Sequence, residues 1–182
     1  MSFERTCGAL VCIVGPMFAG KSTELLERRQ RFPGPLYSPS ADVRARVTHD
    51  GVAIECRVVD DAVDILRDVA QRKLAGEDIG PIYIDEAQFF RADLLAVVGD
   101  LLRMKHNVTC AGLVLTWQGA PFGPYSQLVL HADDVVTLHA RCSECAMPAT
   151  YTDRIGAPGA NGCGGAEAYA PRCRRHWRGG CF

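Results

Sequence analysis

Along the 182-residue chain, short continuous apolar runs alternate with longer stretches whose apolar positions recur at helical spacing. Ala9-Leu-Val-Cys-Ile-Val14 is unbroken and rich in β-branched residues, the pattern of a strand covered on both faces. Ser22 to Phe32 is rich in helix formers and stops at Pro33-Gly34-Pro35, which cannot continue a helix. Pro35 to Ser38 and Val52 to Val59 are weaker strand candidates. From Asp61 onward, Val63, Leu66, Ala70 and Leu74 keep helical spacing, with Asp60 or Asp61 available as a cap and Gly76 as a stop. Pro81-Ile-Tyr-Ile84 reads as a buried strand ending in Asp85-Glu86. Asp93 to Met104 predicts another helix, and Asn107 to Leu115 and Val135 to His139 predict two more strands. Strands alternating with helices give an α/β domain over residues 1–141, a mostly parallel sheet with helices on both faces.

After Arg141 the periodicity disappears, and Gly, Pro, Cys and Arg become frequent. This tail, residues 142–182, is too short and too poor in aliphatics to build its own core, so something else must hold it.

Composition narrows the class of protein. With 48% apolar and 23% charged residues the chain is an ordinary globular one, and a net charge of -1 excludes a bulk electrostatic grip on nucleic acid. No stable nucleic-acid partner is therefore expected. No uncharged apolar run reaches the roughly 18 residues of a membrane span. The Ala9 to Phe18 segment superficially matches the apolar part of a secretion signal, but a glycine and lysine pattern runs through it and no small-residue cleavage site precedes Lys21. A cytoplasmic protein is the expectation, and its nine cysteines then read as free thiols or metal ligands.

Candidate chemistry begins directly after the first strand. Gly15-Pro-Met-Phe-Ala-Gly-Lys-Ser-Thr23 fits the Walker A spacing, with a strand before it and a helix after it. The backbone N–H groups of Gly15, Pro16 to Gly20 (proline excepted), Lys21, Ser22 and Thr23 are candidates to cradle phosphates, aided by the positive end of the helix dipole. Met17, Phe18 and Ala19 fill the variable positions, Lys21 would reach the β and γ phosphates, and Ser22 would ligate magnesium. Asp85, at the end of a second buried strand, is the expected carboxylate partner of that magnesium. Glu86 follows it. Successive side chains leave a strand end on different sides, so Glu86 is positioned to face an acceptor hydroxyl and take its proton, or else is a surface acid.

Cys142-Ser-Glu-Cys145 and Cys173-Arg-Arg-His176 are two pairs with knuckle spacing. Three thiolates and one imidazole suit tetrahedral zinc with no open position, which makes the site structural and answers what holds the tail. Cys163 and Cys181 are rival ligands without that spacing. Cys7, Cys12, Cys56 and Cys110 fall in or near strand patterns and are expected to pack as small apolar residues, while His49, His106, His131 and His139 read as surface or satisfied core residues. Arg172, Arg174, Arg175 and Arg178 are expected to form a solvated rim around Trp177.

Together these motifs resemble the type II thymidine kinase family over almost the whole chain. Asp85-Glu-Ala-Gln-Phe-Phe90 is similar to the family's most telling signature, in which the glutamate is the catalytic base. Asp42-Val-Arg44 and Thr48-His-Asp50 resemble two further family segments, and Gly164-Gly-Ala-Glu-Ala-Tyr169 before Cys173-x2-His176 resembles its substrate lasso closing onto zinc. The resemblance implies a P-loop NTPase-like sheet with a small zinc-binding lasso domain. It also implies ATP as donor with Mg2+, thymidine as acceptor and a homotetramer. The γ phosphoryl group would pass to the 5′ hydroxyl of thymidine to give dTMP. By position, Met17, Phe89, Leu113, Trp117, Thr152 and Tyr169 would line the nucleoside pocket, with Asn161, Gly162, Cys163 and Gly164 reading the base through main-chain groups. The chain departs from the family pattern at Val114, where an aspartate is common, and at Trp117, where a phenylalanine is expected. Ala45 and Ala168 likewise replace a tyrosine and a basic residue. The competing functions are a P-loop NTPase that sends its phosphate to water and a nucleic-acid module built on the tail.

Overall fold

The computed structural model describes residues 6–40, 56–156 and 166–179. Six strands, β1 (Leu10–Val14), β2 (Leu36–Pro39), β3 (Arg57–Val59), β4 (Ile82–Ile84), β5 (Val108–Gly112) and β6 (Asp134–Thr137), form one sheet in the order β3-β2-β4-β5-β1-β6. Every pairing in it is parallel, so all carboxyl ends share one edge. The loops leaving β1 and β4 therefore open on the same side, separated only by the end of β5. Cys12 pairs with Cys110 on one side and Val135 on the other, which puts β1 in the sheet interior.

The period of two divides the strand side chains between two apolar layers. Leu10, Cys12, Ile82, Ile84, Val108 and Cys110 join one layer with Ile65, Val69, Leu94, Val97 and Leu101. These last come from α2 (Ala62–Leu74) and α3 (Asp93–Arg103). Ile13, Leu36, Tyr83 and Ala111 point to the opposite face, where Leu25 of α1 (Lys21–Arg31) covers them. The expected α/β architecture with helices on both faces is thus present.

Local signals set most of the boundaries. Asp61 precedes α2, and the Asp64 carboxylate accepts the Asp61 backbone N–H at 3.4 Å; Gly76, at φ 79°, ends the run. The strand expected to reach Leu115 stops at Gly112. Beyond it the chain folds back on itself: Phe122 N–H donates to Val114 O at 2.8 Å, and Thr116 N–H donates to Ala120 O at 2.8 Å. A short helix, α4 (Tyr125–Val129), was not predicted, because five residues carry too little periodicity. The candidate strand from Val52 begins outside the described residues and is seen only as β3.

The tail is built differently. β7 (Ala140–Arg141) pairs antiparallel with β8 (Pro148–Ala149), and β9 (Tyr151–Arg154) pairs antiparallel with β10 (Tyr169–Arg172). Ser143 N–H to Pro171 O and Thr150 N–H to Arg172 O tie the two ribbons together. Three expectations need correction. Cys7 is exposed and packs in no core, although Cys12 and Cys110 are buried as expected. Arg172 is 5% exposed, paired with Glu144 at 2.9 Å and Asp153 at 3.8 Å, so it belongs to no solvated rim. Arg174 covers Tyr151 at 5.1 Å, and Tyr151 stacks on Trp177 at 4.4 Å, so these rings cement the tail. Among the described residues no helix is long and apolar enough to cross a membrane.

Candidate functional site

The loop after β1 turns directly into α1. A Cβ at Gly15 would lie 2.6 Å from Leu138 O, and Gly20 sits at φ 83°, so the spacing needs glycine at both ends. Phe18 between them is also left-handed, at φ 66°, and half exposed. Lys21 opens the helix nearly buried and donates from Nζ to Pro16 O at 2.8 Å, which curls its ammonium into the concavity of the loop. Anion-binding main-chain groups, a helix N-terminus and a lysine converge there.

Asp85 meets this loop from β4. Burial of its carboxyl and the neighbouring Glu86 charge push its pKa up to about 6, against the opposing pull of the Ser22 hydroxyl, the Glu86 backbone N–H and Lys21. A carboxylate held that way, with a hydroxyl bonded to it, fits a divalent cation that would restore its charge. Ser22 and Asp85, assigned to one ion from sequence, are in contact.

Glu86 does not diverge from Asp85 by strand alternation, as the sequence suggested. β4 has already ended at Ile84, and Glu86 occupies the left-handed region at φ 49° and ψ 41°, where a residue with a Cβ is strained. That turn sends its carboxylate to Gln88, whose Nε2 donates to Glu86 Oε2 at 2.5 Å. Gln88 in turn accepts the Leu113 backbone N–H at 2.9 Å. Gln88 was missed in the sequence; its only signal there is a polar residue inside Ala87-Gln-Phe-Phe90.

The predicted nucleoside residues fall into two groups. Leu113 and Phe89 flank Gln88, and Phe89 meets Phe122 edge-on at 5.5 Å. Thr152 Oγ1 accepts the Met17 N–H at 3.0 Å, joining the tail to the phosphate loop. At Trp117 the Arg154 guanidinium lies 5.6 Å over the ring, and the backbone carbonyl accepts Trp177 Nε1 at 3.1 Å. Tyr169 pairs with Arg154 across β9 and β10. Asn161, Gly162, Cys163 and Gly164, like Asp42, Arg44, Thr48, Asp50 and Cys181, lie outside the described residues. A cavity of about 420 Å³ lies at the amino ends of β1, β4 and β5, lined by Glu24, Arg28 and Tyr83 among others.

The knuckles do meet. Ligand atoms of Cys142, Cys145, Cys173 and His176 all lie within 4.8 Å of one another. Cys145 to Cys173 is 3.7 Å, Cys142 to His176 Nδ1 is 3.7 Å and Cys173 to His176 Nδ1 is 3.4 Å. A tetrahedron with metal–sulfur bonds of about 2.3 Å has edges of about 3.7 Å, so the set fits such an ion. Burial raises the Cys142 thiol, but backbone N–H groups of Cys173, Glu144 and Cys145 and the His176 ring outweigh it and bring it down to about 6. This favours the thiolate form that binds metal.

A parallel sheet with a glycine loop after an inner strand and an acidic pair after another defines a phosphate-loop nucleotide-handling protein. The family profile described as thymidine kinase matches residues 8–177. A thymidine kinase of Pyrobaculum aerophilum is 36% identical over 187 residues, covering 92% of this chain and 97% of the relative. Thymidine kinases of Coprothermobacter proteolyticus (36% identical, 93% and 90% covered) and Thermococcus kodakarensis (35% identical, 93% and 93% covered) are similar over comparable lengths. The chain belongs to the thymidine kinase family, and it is a kinase.

Proposed function

We propose that the chain transfers the γ phosphoryl group of ATP to the 5′ hydroxyl of thymidine, with Glu86 as the general base. The observation that carries this reading is the left-handed turn at Glu86, which puts a second carboxylate beside Asp85 and hands it to the Gln88 amide. Such a carboxylate could serve a nucleoside hydroxyl or a water, and the thymidine kinase family match favours the nucleoside. Lys21 and the loop amides from Gly15 to Thr23 hold the donor phosphates and offset charge on the transferring group. Ser22 and Asp85 would hold magnesium, which would supply positive charge against the donor phosphates. Glu86 orients the acceptor hydroxyl and receives its proton, and because the transition state is loose, that positioning outweighs basicity.

Met17, Phe89, Leu113, Trp117, Thr152 and Tyr169 line the acceptor pocket in this reading, and residues 161–164 read the base. Cys142, Cys145, Cys173 and His176 would hold zinc, whose contribution is folding energy for the tail. The enzyme works in the cytoplasm as a homotetramer, in keeping with the family resemblance. Incubation with magnesium ATP and thymidine, deoxyuridine, deoxycytidine or deoxyadenosine tests the proposal. Thymidine should gain phosphate fastest; ATP hydrolysis with no nucleoside phosphorylated would overturn it.

A further inference from the structure

Gln88 is held more tightly than its place in a short turn requires. It is 2% exposed, on the 3-10 turn Ala87–Phe89 that follows the acidic pair. One end of its amide accepts the Leu113 N–H at 2.9 Å and the other donates to Glu86 Oε2 at 2.5 Å. The first bond settles the direction of the second. A backbone N–H can only donate, so the amide oxygen must face Leu113 and the NH2 must face Glu86. The flipped amide would set donor against donor at one end and oxygen against carboxylate at the other.

Two glycines make the room. A Cβ at Gly112 would lie 2.5 Å from Gln88 Oε1, and one at Gly123, where φ is 55°, would lie 2.3 Å from the Gln88 carbonyl oxygen. Glu86 itself leaves the chain from a left-handed residue, so no regular element supports its direction. A charge-assisted hydrogen bond from a buried amide is the support it has, and such bonds are short and about twice as strong as neutral ones.

We infer that Gln88 is a positioning residue: anchored on the end of β5 through Leu113 N–H, its amide fixes one Glu86 oxygen and leaves the other to the acceptor hydroxyl. The inference rests on the reading of Glu86 as the base; Gln88 makes and breaks no covalent bond. It also links the base to the acceptor pocket, because the same amide fixes the backbone of Leu113.

Two variants separate positioning from structure. Gln88→Glu keeps the size and the acceptor half, so Leu113 N–H stays bonded, but it sets a like charge against Glu86. Gln88→Met removes both halves at similar volume. Steady-state kinetics on the full chain, with metal content and thermal midpoint measured alongside, should show kcat lowered about 10- to 100-fold in both, with KM for ATP within about threefold in both and KM for thymidine within about threefold in Gln88→Glu, which keeps the Leu113 bond. If Gln88→Met fails to fold, Gln88→Glu carries the test alone. In a Glu86→Gln background, Gln88→Glu should cost no further rate in single-turnover measurements. A kcat for Gln88→Glu within about twofold of the parent, a loss confined to KM, or a full additional loss in the Glu86→Gln background would overturn the positioning role. Undiminished transfer by Glu86→Gln alone would instead overturn the reading beneath it.

Discussion

The sheet and the tail are stabilised by different physics, though both contribute to one site. In the sheet and the helix packed on it, Leu10, Ile82 and Ile84 of the strands and Leu94 and Leu101 of α3 are each 0 or 1% exposed, and burying an aliphatic side chain of that size contributes about 1.5–3 kcal/mol. In the tail the buried apolar cluster is Ala140, Cys142 and Ala149, with Ala19 of the phosphate loop and Cys173 against it. Side chains that small, with the half-buried Tyr151–Trp177 stack beside them, offset far less of the ordering entropy than the layers on the sheet do. A metal on four ligands can make up the difference, at about 10 kcal/mol or more for structural zinc. Loop and tail are also in direct contact: Ala19 packs on the cluster containing Cys142, and Met17 N–H bonds to Thr152.

If that contrast is right, removing the metal is the most damaging change for the tail and leaves the sheet folded. A strong chelator, or Cys145→Ala, should abolish metal content and lower transfer at least about 100-fold. Hydrogen exchange should rise across residues 140–156 and 166–176 and stay slow in β1 and β5. Fast exchange in β1 would mean that the two regions share one source of stability. The opposite perturbation is Leu101→Ala, in α3. It should cost about 2–5 kcal/mol of global stability by denaturant titration, with metal content unchanged. Metal loss in the folded variant would break the separation.

A smaller effect distinguishes the electrostatics of the sheet edge. Because the Asp85 carboxyl is raised to about 6, proton and cation compete for it below that pH. The magnesium concentration for half-maximal rate should be nearly constant above pH 7 and should rise by up to about tenfold per pH unit below pH 6. A flat magnesium requirement down to pH 5 would remove Asp85 from the metal site.

How far the sequence reveals this molecule depends on the range of the forces involved. β1, its loop and α1 are legible because strand pattern, glycine spacing and helix formers lie within one short segment. The cluster of Cys142, Cys145, Cys173 and His176 is legible because knuckle spacing is itself local. The left-handed turn at Glu86 is not, since nothing in Asp85-Glu86-Ala87 signals a positive φ on a residue with a Cβ. Gln88 escapes for a related reason: its partners, Glu86 and Leu113, are brought together only by the pairing of β4 with β5. Arg172 reads as a surface charge in sequence because Glu144 and Asp153, which allow its burial, come from two different ribbons. α4 and the strands of the tail are too short for periodicity to reveal.

Glu86→Gln tests most directly the central claim that the carboxylate held by Gln88 serves the acceptor. With magnesium ATP and thymidine, single-turnover transfer should fall about 10²- to 10⁴-fold while ATP affinity and metal content stay at parental values. Transfer at the parental rate, or a loss of ATP binding that accounts for the whole defect, would contradict it.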